Sequence, residues 1–120
     1  MQIHFKGTQY ELPANVTALA RKKIEGLGKY LGRSSEQARV YADFGKESAA
    51  HQNGRIWRVD LTCDADGNRF YAKAVEESIE KALDVSVNDL GRELKRYRKR
   101  QLSLMRKGGS IIKSLVRGTN

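Results

Sequence analysis

Arg92, Lys95, Arg96, Arg98, Lys99 and Arg100 crowd into about three helical turns, interrupted by a single acid, Glu93. Side chains of this type at this spacing can neutralise neighbouring phosphates, so the run points to an RNA strand or groove as its partner. A solvated helix face would more often mix signs in i,i+4 pairs. A smaller basic group, Arg21, Lys22, Lys23, Lys29 and Arg33, precedes it. The net charge of +9 has one origin: residues 1–90 hold 13 Lys and Arg against 13 Asp and Glu, while residues 91–120 hold 10 against Glu93. Such asymmetry favours a polyanion, because neutralising phosphates releases condensed counterions.

Other chemistries find less support. His4 and His51 are far apart in sequence, with no evident nucleophile or carboxylate relay. Cys63 is the only cysteine, so an internal disulfide is impossible, and one thiol with two histidines makes a poor zinc site. It points into the expected core and has no basic neighbour to activate it. Asp64, Asp66 and Asn68 match the opening ligands of a calcium loop. However, Arg69 replaces the needed glycine and Val75 the bidentate glutamate, so a tight hairpin is expected instead. Asn15, Val16 and Thr17 form a glycosylation sequon inside an expected helix, where it carries no meaning. There is no Gly-rich phosphate loop, and no catalytic residue, cofactor or metal is expected.

The elements that must carry these residues follow from periodicity. Ile3 and Phe5 alternate with polar neighbours as a first strand ending at Gly7. Pro13 suits a first helical turn, and Val16, Ala20, Ile24, Leu27 and Leu31 then form one stripe, giving a helix over residues 13–31 that Gly32 stops. On its polar face stand Arg21, Lys22 and Lys29, while Lys23 must snorkel from the edge of the stripe. Three alternating runs follow, inward at Val40, Ala42 and Phe44, at Trp57, Val59, Leu61 and Cys63, and at Phe70, Ala72 and Ala74; they read as antiparallel strands. Residues 45–54 are polar and turn-rich. Arg39, Tyr41, Arg69, Tyr71 and Lys73 fall on the opposite sheet face, as cross-strand pairs rather than a base-stacking platform.

A long helix is expected from Glu76, with Glu76, Glu77 and Glu80 at its positive end. Its apolar stripe is Ile79, Leu83, Val87, Leu90, Leu94 and Tyr97, with Lys81, Arg92, Lys95, Lys99 and Arg106 opposite. Gly108 and Gly109 are expected to end it, leaving one α+β domain over residues 1–107 and a basic tail over 108–120. The architecture is a two-layer β-α-β-β-β-α arrangement, a four-stranded sheet with two helices on one face. If the helices lie side by side, their basic rows form one surface. No apolar run approaches the roughly 20 residues of a membrane span, and no signal-peptide pattern opens the chain, so a cytoplasmic protein is expected.

The ordered set Met1-Gln-Ile with Gly7, Ala20-Arg-Lys-Lys-Ile, Leu27-Gly-Lys-Tyr-Leu, Phe70-Tyr-Ala-Lys-Ala, Asp84 and the run from Leu90 to Arg100 resembles the hibernation promoting factor and ribosome-associated translation inhibitor family, over about residues 1–100. The resemblance implies a double-stranded-RNA-binding-like fold seated between head and body of the small ribosomal subunit. There it would block messenger RNA and the anticodon ends of transfer RNAs, with Lys22, Lys23, Lys29, Arg92, Arg96 and Arg98 on ribosomal RNA. Lys95, Lys99 and Arg100 join them on charge and spacing. Two positions depart from the family's habit, Glu80 where an aromatic is usual and Asp89 where a lysine is frequent. The roughly 20 residues after Arg100 leave no room for the second domain of longer members, and a monomer is expected off the ribosome. The alternative is a generic double-stranded-RNA-binding module, against which Glu76, Glu77 and Glu80 stand where such modules carry lysines.

Overall fold

The computed structural model describes residues 1–47 and 56–119, with side chains as far as Lys107. The elements run β1 (Gln2–Thr8), α1 (Ala14–Glu25), two 3-10 turns (Gly26–Tyr30 and Gly32–Gln37), β2 (Arg39–Lys46), β3 (Trp57–Ala65), β4 (Asn68–Glu76) and α2 (Ile79–Thr119). The four strands form one sheet in the order β1-β2-β3-β4. Strands β2, β3 and β4 are antiparallel neighbours, whereas β1 lies parallel to β2, with Ile3 opposite Val40 and Phe5 opposite Ala42. A parallel pair needs a crossover, which α1 and the 3-10 turns supply. Between β3 and β4 only Asp66 and Gly67 intervene, with φ of 54° and 74°. Positive φ at both centres makes the tight hairpin expected there, with glycine free to adopt it.

Both inward faces close on one core. Val16, Ala20, Ile24, Leu27 and Leu31 are buried from the first helical region, Val40, Ala42, Phe44, Val59, Leu61 and Cys63 from the sheet, and Ile79, Leu83, Leu90 and Leu94 from α2. The expected stripes therefore hold, but three boundaries differ. The α-helix ends at Glu25, not Leu31: Gly26 and Gly28 each disfavour helix by about 1 kcal/mol relative to alanine, and the chain tightens into 3-10 geometry that still buries Leu27 and Leu31. Helix α2 begins at Ile79, because β4 claims Glu76 and Ser78 caps the helix, its Oγ accepting the Lys81 N–H at 3.1 Å. Its backbone also continues through Gly108 and Gly109 to Thr119 rather than stopping there. Glycine weakens a helix interior without forbidding it. Residues 48–55, with His51 and most of the expected polar loop, lie outside the described residues, as do the side chains of Ile111, Ile112, Lys113, Leu115, Val116 and Arg117.

Candidate nucleic-acid interface

The two basic segments meet where α1 and the following 3-10 turn lie beside α2. Gly91 makes the approach possible: a Cβ there would stand 3.2 Å from Leu27 Cδ2 and 3.6 Å from Tyr30 Cε2. Between the elements runs a groove of about 360 Å³, floored by Leu27, Tyr30 and Val87 and rimmed by Lys23, Lys29, Arg92 and Lys95. Thus residues separated by some seventy positions converge on one edge. Lys99 and Arg106 prolong the Lys95 row along α2 at helical spacing, both exposed.

The remaining cations are placed differently. Lys22 sits in a hollow lined by α1 residues alone, including Arg21 and Glu25, so it does not share the groove. Arg96 and Arg100 are exposed one step farther round α2 from Lys95 and Lys99. Arg98 donates from Nη1 to the Lys29 carbonyl at 3.0 Å, fastening α2 to the 3-10 turn. Pairing divides the set further. Lys23 Nζ lies 2.6 Å from Asp84 Oδ1, Arg92 pairs with Asp89, and Arg96 Nη1 lies 3.3 Å from Glu93 Oε1. Lys22, Lys29, Lys95, Lys99 and Arg100 have no carboxylate partner among the described residues. Sequence reasoning counted Glu93 alone as an interruption of the run and did not read Asp84 and Asp89 as partners of Lys23 and Arg92, although i,i+3 spacing made the second pair legible. It also missed Gly26, Asn88 and Gly91 as groove residues, whose types carry no charge signal.

The opposite sheet face has another character. Arg58, largely buried, is ringed by Asp43, Glu47 and Asp60, and Lys73 Nζ lies 3.2 Å from Glu47 Oε1. Arg69 grips Asp64 with two hydrogen bonds, at 2.7 and 3.0 Å, and holds its carboxyl below the usual carboxylate range. Tyr71 donates to Asp60 at 2.5 Å, which raises the phenol above its ordinary value, and Tyr41 stacks on His4 at 5.0 Å. These are cross-strand pairs of the expected kind and take up most of the charge on this face, while the exposed Arg39 and Lys6 have no carboxylate partner among the described residues. At the hairpin, Asp64 and Asp66 are engaged by Arg69 and Tyr97. Among the described residues no group of three His, Cys, Asp or Glu could hold a metal ion, and no helix is long and apolar enough to cross a membrane.

Comparison with known proteins adds a family and a fold. The family model for sigma 54 modulation protein / S30EA ribosomal protein matches residues 3–102. Among solved structures, the N-terminal domain of Protein Y from Thermus thermophilus superposes with a TM-score of 0.68 at 18% identity, covering 81% of this chain and 99% of that one. A ribosomal subunit interface protein from Coxiella burnetii gives 0.67 at 17% identity, covering 82% and 99%. No curated protein sequence matches. At such identities the structural likeness establishes the fold.

Proposed function

The chain belongs to the sigma 54 modulation protein / S30EA ribosomal protein family, and on that premise we propose that it is a hibernation factor that seats its helix face on ribosomal RNA of the small subunit. Seated between head and body, it denies the channel to messenger RNA and the decoding sites to the anticodon ends of transfer RNAs. The observation that carries this reading is the convergence of Lys23, Lys29, Arg92 and Lys95 on one groove, continued by Lys99, while Arg58, Arg69 and Lys73 on the sheet face are paired with acids. Cations fixed on packed helices need little reordering on binding, so much of the counterion-release gain survives as affinity.

Inhibition on this account is occupancy, with no bond made or broken, and the protein works in the cytoplasm as a monomer until it meets a subunit. A generic double-stranded-RNA module fits less well. Glu80 stands in the first turn of α2, with Glu77 just before the Ser78 cap, where a duplex phosphate would be repelled. Small subunits preloaded with a fluorescent messenger oligonucleotide test the reading. Added protein should release the oligonucleotide as it saturates the subunit, and messenger retained at saturating protein contradicts it.

A further inference from the structure

Resting on the ribosomal-RNA reading, we propose that the groove between α1 and α2 receives a single unstacked nucleotide, so that the chain selects RNA carrying an extruded base over an uninterrupted duplex. Phosphate binding alone would need only the cations, and those could stand on a closed helix pair. Here the cations rim a groove whose apolar lining is the half-buried Tyr30 ring beside the buried Leu27 and Val87, and Gly26 and Gly91 add no side chains to close it. The volume, about 360 Å³, lies near the lower end of the roughly 300–1,000 Å³ typical of small-ligand pockets. Charge agrees with one nucleotide rather than a phosphate run. Asp84 and Asp89 already engage Lys23 and Arg92, which leaves Lys29 and Lys95 for an incoming phosphate. Lys29 Nζ lies 5.2 Å from the Tyr30 ring centroid, so a base resting on the floor has a cation and an aromatic edge beside it. The exposed amide of Asn88 on the same rim offers hydrogen bonds to a base edge.

Gly26 provides the test, because a Cβ built there meets nothing within 4 Å and its backbone, at φ −60° and ψ −19°, suits any L-residue. Gly26→Phe places a ring at the groove's lining without removing a charge, and Gly26→Ala controls for backbone effects. Fluorescence anisotropy would compare a labelled RNA hairpin with a fully paired stem and the same hairpin with one bulged adenosine, with 2-aminopurine at the bulge reporting base burial. Thermal melts would verify each variant's fold. The wild-type chain and Gly26→Ala should prefer the bulged hairpin by roughly tenfold, the lower range of one base-stacking contact, with a change in 2-aminopurine emission. Gly26→Phe should lose both. Equal affinity of the wild-type chain for the two hairpins, or a preference that persists in a folded Gly26→Phe variant, overturns the proposal. Binding to purified small subunits, measured alongside, separates this failure from that of the parent reading: subunit binding without bulge preference removes only the nucleotide pocket.

Discussion

Lys95 and Arg96 are adjacent cations of equal formal charge, yet Lys95 lines the groove with no carboxylate partner among the described residues and Arg96 is paired with Glu93. A free cation contributes its whole charge to a phosphate, whereas a paired one must first give up its partner. Lys95→Ala should therefore lower the salt dependence of RNA affinity by about one unit of log–log slope. Arg96→Ala should change it less, which titrations at several salt concentrations would measure. The same logic of surroundings governs Cys63. Fully buried on β3, with burial foremost and the Asp64 charge beside it, its thiol is pushed up to about 11. It should resist a thiol reagent at pH 8 in the folded protein and react stoichiometrically once denaturant is added; rapid labelling of the native chain would mean that β3 is misplaced. At this scale residue types were legible in the sequence, and their pairing only in part. The polar spacing that brings Asp89 to Arg92 is local, but Lys23 with Asp84 joins separate helices and awaited the packing.

Helix α2 owes its orientation to contacts beyond its apolar stripe. Tyr97 packs edge-on against Phe70, donates its hydroxyl to Asp66 at 2.5 Å and accepts from Asn68 at 3.1 Å, so the β3–β4 hairpin is latched to the helix. Tyr97→Phe keeps the ring and loses the latch, which should cost about 1 kcal/mol in denaturant unfolding. The hydrogen bond to Asp66 raises the phenol above its ordinary value. A raised phenol stabilises the fold below its unfolded value and loses that contribution as pH rises through the folded one. The stability gap between wild type and Tyr97→Phe should consequently be constant near neutrality and close above pH 10, and a gap independent of pH would argue against the latch. Further along α2, Leu94 is the last buried core residue among the described side chains, and the backbone runs on as helix to Thr119. Removing residues 108–120 should shift the melting temperature by less than about 4 °C. It should also weaken small-subunit binding modestly, through loss of Lys113 and Arg117. A large loss of stability would show that residues 1–107 are not self-sufficient. Apolar periodicity made both stripes readable, but not the conversion of residues 26–30 to 3-10 geometry. There Leu27 and Leu31 fit either helix, and only packing against α2 and Gly28 against Ser35 decides.

The molecule as a whole separates its charges by layer. Most acids and bases on the sheet face pair with one another, and the excess of positive charge gathers on the helix layer, where α1, the 3-10 turn and α2 present it along one groove. The layer order was foreshadowed by alternation in four strands and 3.6-residue stripes in two helices. The parallel pairing of β1 with β2 followed only once the crossover could be seen. Convergence of the two basic rows depended on Gly91, whose importance lies in the side chain it lacks. Binding of the small ribosomal subunit by this helix layer, as proposed, is read from co-sedimentation through a sucrose gradient with purified subunits. The comparison is between the wild-type chain and a variant with Arg92, Lys95 and Lys99 all changed to Glu, exposed positions where substitution costs little stability. The wild type should migrate with the small subunit, and the variant, melting close to wild type, should stay at the top of the gradient; a folded variant that still travels with the subunit would contradict the account.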